Sequence, residues 1–410
     1  MKTMFMTSSA IPVTLEERRA KRPVSRDNEA FQRMLQGYQK IVLWADELGI
    51  DAFGSTEHHF QYEGGDSIPN NLLLYAKLAT LTQNLTFVPM SVVLNTHDPI
   101  RVAEDLALFS HMFPGRLGVA FARGFQTRWV QTLGQTEHAV AHHPESEAAN
   151  RQKFDEFLEI IEKAWTQDSF SHNGPNYQAP FPATGIPDWP LADWTREFGV
   201  PGDVDEHGTI HRIGVTPKPL NRPEIFIPST RTEQTILDAG RNGRTLFVSA
   251  SGRDRIRQVA RTYRDAAREA GQEVELGDKF GIVAKIALGD TFEEAFDFAV
   301  HTAGFWYQNI LGKFWFNEGY RIDSDPPQRP LEFADARGLT QRMFDAGQLL
   351  CGTPEQVSEQ LTGMATLYGD GKLDWLIWES WGQSMPFDDW DGVQRYQLET
   401  YAKKVMPAFR

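Results

Sequence analysis

A single cysteine, Cys351, stands among 410 residues, so no intrachain disulfide can form and a reducing compartment is expected. Cations are also in deficit: 41 Lys and Arg face 55 Asp and Glu, for a formal net charge of −14. Phosphate backbones are held by clustered cations, so no nucleic-acid partner is expected. Long apolar runs are missing too. The longest, such as Phe87–Leu94, have strand length, far short of the ~20 residues that cross a bilayer. Glu16, Glu17, Arg18 and Arg19 stand where a signal peptide needs an apolar core. What is present is ordinary globular composition, 41% hydrophobic and 23% charged, which excludes a disordered chain. The expectation is an acidic cytoplasmic protein with no membrane partner. Its length suits two or three domains or one α/β barrel with insertions.

Strand-like and helix-like stretches alternate along most of the chain. Strand candidates are Thr3–Thr7, Ala52–Ser55, Leu85–Leu94, Arg116–Ala122, Ile225–Ser229, Thr245–Ser249, Phe280–Leu288 and Leu373–Trp378. Helical spacing follows at Asn28–Leu48, where Phe31, Leu35, Tyr38, Ile41, Val42 and Ala45 share a face, and at Gln152–Trp165. Further helices follow Asn70, Pro99, Thr232, Gly252, Thr291 and Thr353, and a last one runs from about Asp391 to Val405. Repeated βα units predict an α/β fold, a (β/α)8 TIM barrel with insertions over its C-terminal face. The chain is expected to form one such domain over residues 1–410. Phe170–Arg222, rich in Pro, Gly, Trp and His, reads as an insertion. A lid region is expected at about residues 301–350, where Phe305, Trp306, Tyr307, Phe314, Trp315 and Phe316 cluster.

Barrel enzymes carry their chemistry at the carboxyl ends of strands. That rule selects Thr56-Glu57-His58-His59-Phe60, Met90-Ser91, Ala122-Arg123-Gly124-Phe125 and Ser229-Thr230-Arg231-Thr232-Glu233. At the last, a strand runs into a helix N-terminus, whose free N–H groups and dipole favour an anion, with Arg231 adding charge. A plain capping box, Thr230-x-x-Glu233, explains the same residues and is favoured by spacing alone. His58 and His59 are candidate general bases or a hydrogen-bonded structural pair. Arg123 ends a buried strand and needs an anion, either a ligand or an internal carboxylate. His138, His142 and His143 cluster without an HExxH pattern or Cys ligands, so no metal is expected. Gly115-Arg116-Leu117-Gly118 precedes a strand and is no dinucleotide fingerprint. Gly352-Thr353-Pro354-Glu355 reads as a helix start.

Together these stretches resemble the bacterial luciferase-like flavin-dependent monooxygenase family, in its luciferase alpha-subunit-like branch. The resemblance rests on Ala45-Asp46-Glu47-Leu48-Gly49-Ile50-Asp51-Ala52, on Glu57-His58-His59-Phe60, and on His97-Asp98-Pro99-Ile100-Arg101-Val102-Ala103-Glu104-Asp105. It continues through Gly115-Arg116-Leu117 to Ala122-Arg123-Gly124-Phe125, Ser229-x-x-Thr232 with Gly240, Gly352-Thr353-Pro354-Glu355 and Val405-Met406-Pro407. The order holds across nearly the whole chain. It is specific for the family and silent on the substrate.

The resemblance implies that Arg123, Ser229 and Thr232, with Thr230 and Arg231 between them, hold a flavin phosphate, reversing the preference for a plain cap. Met90-Ser91 falls where that branch has a non-prolyl cis peptide against the isoalloxazine ring. His58 matches the active-site histidine, and Ala122 stands where luciferases carry a pocket cysteine. His59, Phe60, Ala122 and Trp306 are the implied substrate pocket. The implied activity is a two-component monooxygenase: reduced FMN from a separate NAD(P)H:flavin reductase reacts with O2 to give a flavin hydroperoxide that oxygenates a small apolar or aromatic molecule. The alternatives are a deazaflavin-dependent hydride-transfer enzyme of the same fold, or a flavin-binding protein without catalysis. A homodimer is expected from the family alone.

Overall fold

The computed structural model describes residues 1–137, 144–228, 232–249, 252–322, 324–326 and 329–410, with backbone alone at 144 and 145. Its strands are β1 (Lys2–Thr7), β2 (Ala52–Ser55), β3 (Thr86–Val93), β4 (Gly118–Ala122), β5 (His172–Asn173), β6 (Gln178–Ala179), β7 (Glu224–Pro228), β8 (Thr245–Val248), β9 (Phe280–Leu288), β10 (Leu349–Gly352) and β11 (Trp375–Ser380). Two compact units emerge. The first holds Met1–Ser91, Gly118–Phe121 and Glu224–Arg410; the second holds Val92–Leu117 and Ala122–Pro223.

The first unit is the barrel. One sheet runs β10-β9-β11-β1-β2-β3-β4-β7-β8, and a further β9–β8 pairing closes it, leaving β10 as an outer strand on β9. Pairing is parallel: Met4 lies beside both Ile377 and Ala52, Phe247 beside Gly281, and Val283 beside Ile377. This is the (β/α)8 barrel that the alternating pattern predicts.

Strand periodicity sorts the side chains into two layers. Met4, Val88, Met90, Val283, Trp375 and Ile377 share the core cluster of the lumen. Their neighbours in sequence face the helices. Phe53 packs edge-on against Tyr38 of helix Asn28–Glu47 at 5.9 Å and against Tyr75 of helix Asn71–Ala79 at 6.0 Å. With both faces covered, a strand reads as a continuous apolar run, and all of β9 is buried.

Helix starts follow local chemistry. Asp27 accepts from the Ala30 amide to open Asn28–Glu47, and Thr353 with Gln356 forms a capping box ahead of Pro354 to open Pro354–Gly369. Several elements escape the sequence reading, among them β10, a short Leu-Leu-Cys-Gly strand, the polar helix Leu15–Ala20, and helices Thr127–Gly134 and Ala336–Asp345.

The second unit contains helices Pro99–Met112, Thr127–Gly134, Pro144–Thr166 and Ala192–Phe198. Trp165 Nε1 donates to the Ala103 carbonyl at 3.0 Å, tying the two longest together. Helix Pro144–Thr166 begins earlier than the apolar spacing shows, because its first turns are polar. Residues 170–222 fold as the antiparallel β5–β6 hairpin, isolated bridges such as Phe170–Ile213, and the short helix Ala192–Phe198.

Candidate active site

The carboxyl end of β2 leads straight into the histidine pair. Asp66 organises it: its carboxylate accepts the Ser9 amide at 2.7 Å, the Thr56 hydroxyl at 3.0 Å and the Ser8 hydroxyl, and lies 3.5 Å from His58 Nε2. The His58 amide donates to the Ile68 carbonyl at 3.2 Å, pinning the backbone. His59 turns elsewhere, its Nε2 2.9 Å from Glu57 Oε1. Burial pushes the His58 pKa below the ordinary histidine value; the nearby Asp66 and Glu57 carboxylates oppose this and His59 adds to it. Burial prevails, so the imidazole is held neutral, the form that accepts a proton. The two histidines thus have distinct environments, His58 facing Asp66 and His59 facing Glu57. Phe60 follows in the left-handed region (φ 60°) and is 42% exposed, at the edge of the arrangement.

Met90–Ser91 is a cis peptide, at the position the resemblance implied. Close approach matters here: a Cβ at Gly54 would lie 2.8 Å from Met90 Cγ and 3.2 Å from Met4 Sδ, so only glycine lets β2 pass this lumen wall. Helix Glu233–Arg241 has Thr232 as its N-cap, without a side-chain cap bond. Ser229, Thr230 and Arg231 lie outside the described residues, as do His138, His142 and His143. Among the described residues no group of three or more His, Cys, Asp or Glu could hold a metal ion, and no helix is long and apolar enough to cross a membrane.

Trp306 is buried and stacks on Trp381 at 5.7 Å, with the Arg18 guanidinium 5.6 Å from its ring centre. Tyr307 is buried beside it, whereas Trp315 is 55% exposed. The aromatic cluster thus divides between packing and surface.

Sequence reading missed a charged group inside the barrel. Lys285 of β9 pairs with Glu379 of β11 at 2.5 Å, and the Tyr307 hydroxyl donates to the same carboxylate at 3.1 and 3.2 Å. Burial pulls the Lys285 pKa down, but Glu379 and Tyr320 outweigh it and hold the ammonium charged. Burial, with Glu379, pushes the Tyr307 hydroxyl well up, so it stays protonated. The signal was a lysine within the otherwise apolar Phe280–Leu288, and a glutamate where the strand-end rule looks.

In the second unit, Arg123 Nη1 donates to Glu147 Oε1 at 2.5 Å, and Arg151 meets the same carboxylate at 3.1 Å. The internal carboxylate that the sequence left open as its partner is Glu147. Asn150 Nδ2 reaches the Arg123 carbonyl at 3.4 Å, and Ala122 packs with Val93, Trp129 and Val130.

A closed parallel barrel with a neutral buried histidine at a strand end defines a (β/α)8-barrel enzyme. This chain belongs to the luciferase-like monooxygenase family, whose model matches residues 32–371. It is 25% identical over 406 residues to 3,6-diketocamphane 1,6-monooxygenase of Pseudomonas putida, covering 94% of this chain and 96% of that one. Its fold is similar to the solved oxygenating constituent of 3,6-diketocamphane monooxygenase from Pseudomonas putida, a type II Baeyer-Villiger monooxygenase in complex with FMN. That match has a TM-score of 0.72 and 22% identity, covering 100% of this chain and 99% of that one. It is also similar to an F420-dependent secondary alcohol dehydrogenase in complex with an F420-acetone adduct, with a TM-score of 0.62 and 13% identity, covering 100% and 99%.

Proposed function

We infer that this chain is the oxygenating component of a two-component, FMNH2-dependent monooxygenase, acting on a small, largely apolar organic molecule such as a cyclic ketone. The observation that carries the chemistry is His58, buried, neutral and facing Asp66 at the mouth of a barrel in this family. Reduced FMN, when bound, supplies the two electrons that reduce one atom of O2 to water as the other enters the substrate. His58 takes a proton in that sequence, and the resulting imidazolium is stabilised by Asp66 Oδ2, 3.5 Å from Nε2. Met90 and Ser91 are assigned by the resemblance to the strand end that would hold the flavin ring. The resemblance assigns the phosphate to Ser229, Thr230, Arg231, Thr232 and Arg123, with Thr232 standing as the N-cap of helix Glu233–Arg241. His59, Phe60, Ala122 and Trp306 are assigned to the substrate pocket, and residues 301–350 to its cover.

A separate NAD(P)H:flavin reductase supplies the reduced flavin, since the sequence carries no glycine-rich dinucleotide fingerprint. The chain works in the cytoplasm as a homodimer; a monomer in light scattering at working concentration contradicts the latter. The deciding assay supplies FMN, a flavin reductase and NADH and follows oxygen uptake with a panel of cyclic ketones. Substrate-dependent uptake coupled to product supports the reading. Turnover under strict anaerobiosis, or a co-purified cofactor with deazaflavin absorbance, establishes hydride transfer instead; oxygen consumption no faster than free reduced flavin establishes a non-catalytic flavin binder.

A further inference from the structure

Strand parity places an ion pair in the barrel lumen. On β11, Trp375 and Ile377 face inward, and Glu379 is the next such position; on β9, Val283 faces inward and Lys285 is the next. The register sets Trp378 beside Ala284, so Glu379 and Lys285 are lateral neighbours one layer nearer the carboxyl ends. At that level β1 offers Met6, which pairs with both Glu379 and Gly54. Neither Met6 nor Gly54 supplies a charged side chain. The carboxylate therefore has no charged neighbour from β1 or β2 at that level, and it lies toward the end of a barrel where function resides.

Packing gives no reason for the pair to be there. A buried ion pair seldom stabilises a fold more than apolar residues of similar volume, and Val, Ile or Leu fill such layers well. The partners are also unequally covered: the Lys285 side chain is 3% exposed and that of Glu379 12%. Lys285 bonds Oε2, and Tyr307 brings a single proton that spans both oxygens. A carboxylate has about four acceptor sites, so capacity remains on the one member that is open.

We propose that Glu379 is a substrate-binding residue, and that the substrate class is a small apolar ketone bearing a hydroxyl or N–H donor, which Glu379 accepts. Lys285 and Tyr307 are positioning residues that hold the carboxylate aimed. This specificity rests on the monooxygenase reading above. A ligand with only carbonyl groups presents lone pairs to a carboxylate and leaves its acceptor capacity unsatisfied, which a buried polar site penalises strongly.

The test uses two probes with one skeleton. In 2,5-diketocamphane an acceptor carbonyl stands where 5-hydroxycamphor has a donor hydroxyl. Calorimetry on the FMN-loaded full chain is expected to show the hydroxyketone bound about ten- to a hundred-fold tighter. Glu379→Gln, whose amide both donates and accepts, is expected to bring the two within about three-fold. Tyr307→Phe, which frees the carboxylate to turn, lowers the ratio without abolishing it; an unchanged ratio removes Tyr307 from the arrangement. If Glu379→Gln does not fold, Lys285→Met combined with Glu379→Leu removes both charges and is expected to lose the preference likewise. A wild-type ratio near one, or a preference that survives either loss of Glu379, overturns the proposal. Oxygen uptake is measured separately, so failure of the flavin reading shows as absent uptake while the binding ratio still decides this one.

Discussion

Breaking the Lys285–Glu379 pair from one side should destabilise the barrel far more than removing both charges. Glu379→Gln leaves the ammonium 3% exposed, with its carboxylate counter-ion gone and uncharged partners in its place, the amide oxygen of the new side chain and the Tyr307 and Tyr320 rings 4.5 and 5.5 Å away. Losing one partner of a buried pair costs about 3–5 kcal/mol, whereas an apolar replacement of both is neutral or stabilising by up to about 4 kcal/mol. In urea, read by pulse proteolysis that counts intact chains, the single variant should unfold at a midpoint lower by about 1 M. The Lys285→Met, Glu379→Leu double variant should sit near or above wild type. The pH dependence has opposite signs in the two proteins. In wild type the Lys285 pKa is raised, so its contribution is present below the unfolded value of ~10.4 and lost as pH rises through the folded one. In Glu379→Gln, burial acts without its main opponent and depresses the folded pKa, so the penalty is present below ~10.4 and shrinks as pH climbs toward it. The gap between the two proteins should therefore narrow between about pH 7 and 10. Equal losses in single and double variants, or a gap that widens with pH, would refute the electrostatic account.

Replacing His58 by Ala should cut product formation by about 10²–10⁴-fold while FMN affinity stays within a few-fold. Because burial depresses the His58 pKa, the acidic limb of wild-type kcat/KM should lie below ~6.5, and a limb at or above that value contradicts a buried base. The same depression means that stability contributed by neutral His58 is present above ~6.5 and falls as pH drops below it, which thermal scans of wild type against His58→Asn can read. Arg123→Ala leaves Glu147 still paired with Arg151 at 3.1 Å, so the chain should fold, and FMN binding should weaken by about 1.5–3 kcal/mol. Riboflavin lacks the phosphate, so a preference for FMN that survives this change makes Arg123 structural. Burial pushes the Cys351 thiol up to about 12, so it should ignore a disulfide reagent in the native chain and react once the chain is unfolded in urea.

The barrel is legible because a strand covered on both faces is apolar without interruption, and helices with their own start signals, such as those opened by Asp27, Asn70, Asp98, Thr291 and Thr353, recur between such runs. Phe280–Leu288 and Ala52–Ser55 were bounded to the residue. Leu349–Gly352 was passed over because four residues carry too little pattern to distinguish a strand from a helix approach. Leu15–Ala20 buries no residue at all, so no apolar period could mark it; its capping box, Thr14 with Glu17, was the available sign. Strand ends and the family resemblance both point to His58 and Met90–Ser91, which the structure places beside Asp66 and in a cis peptide respectively. Asp66, which organises His58, was not: it comes to the site through a turn whose bonds to Ser8, Ser9 and Thr56 are tertiary.

Lys285 and Glu379 mark where pattern reading stops, and for an identifiable reason. Hydrophobic periodicity averages over a window, so one lysine in Phe280–Leu288 lowers the average without changing the assignment, and the strand is correctly found while its exception is smoothed away. The expected last strand ended at Trp378, one residue short of the carboxylate, although β11 continues to Ser380. The two residues inform each other only once the strands are known to be neighbours, with Trp378 level with Ala284. A charge in a strand covered on both faces must find its partner within the chain. Facing inward near the carboxyl end of a closed barrel, the partner can come only from an adjacent strand or from a loop folded over the mouth. Here both sources are used: Glu379 from the neighbouring strand, and Tyr307 from the helix Phe305–Asn309. That convergence, which no single segment of the sequence contains, is the observation on which the proposed role of Glu379 stands.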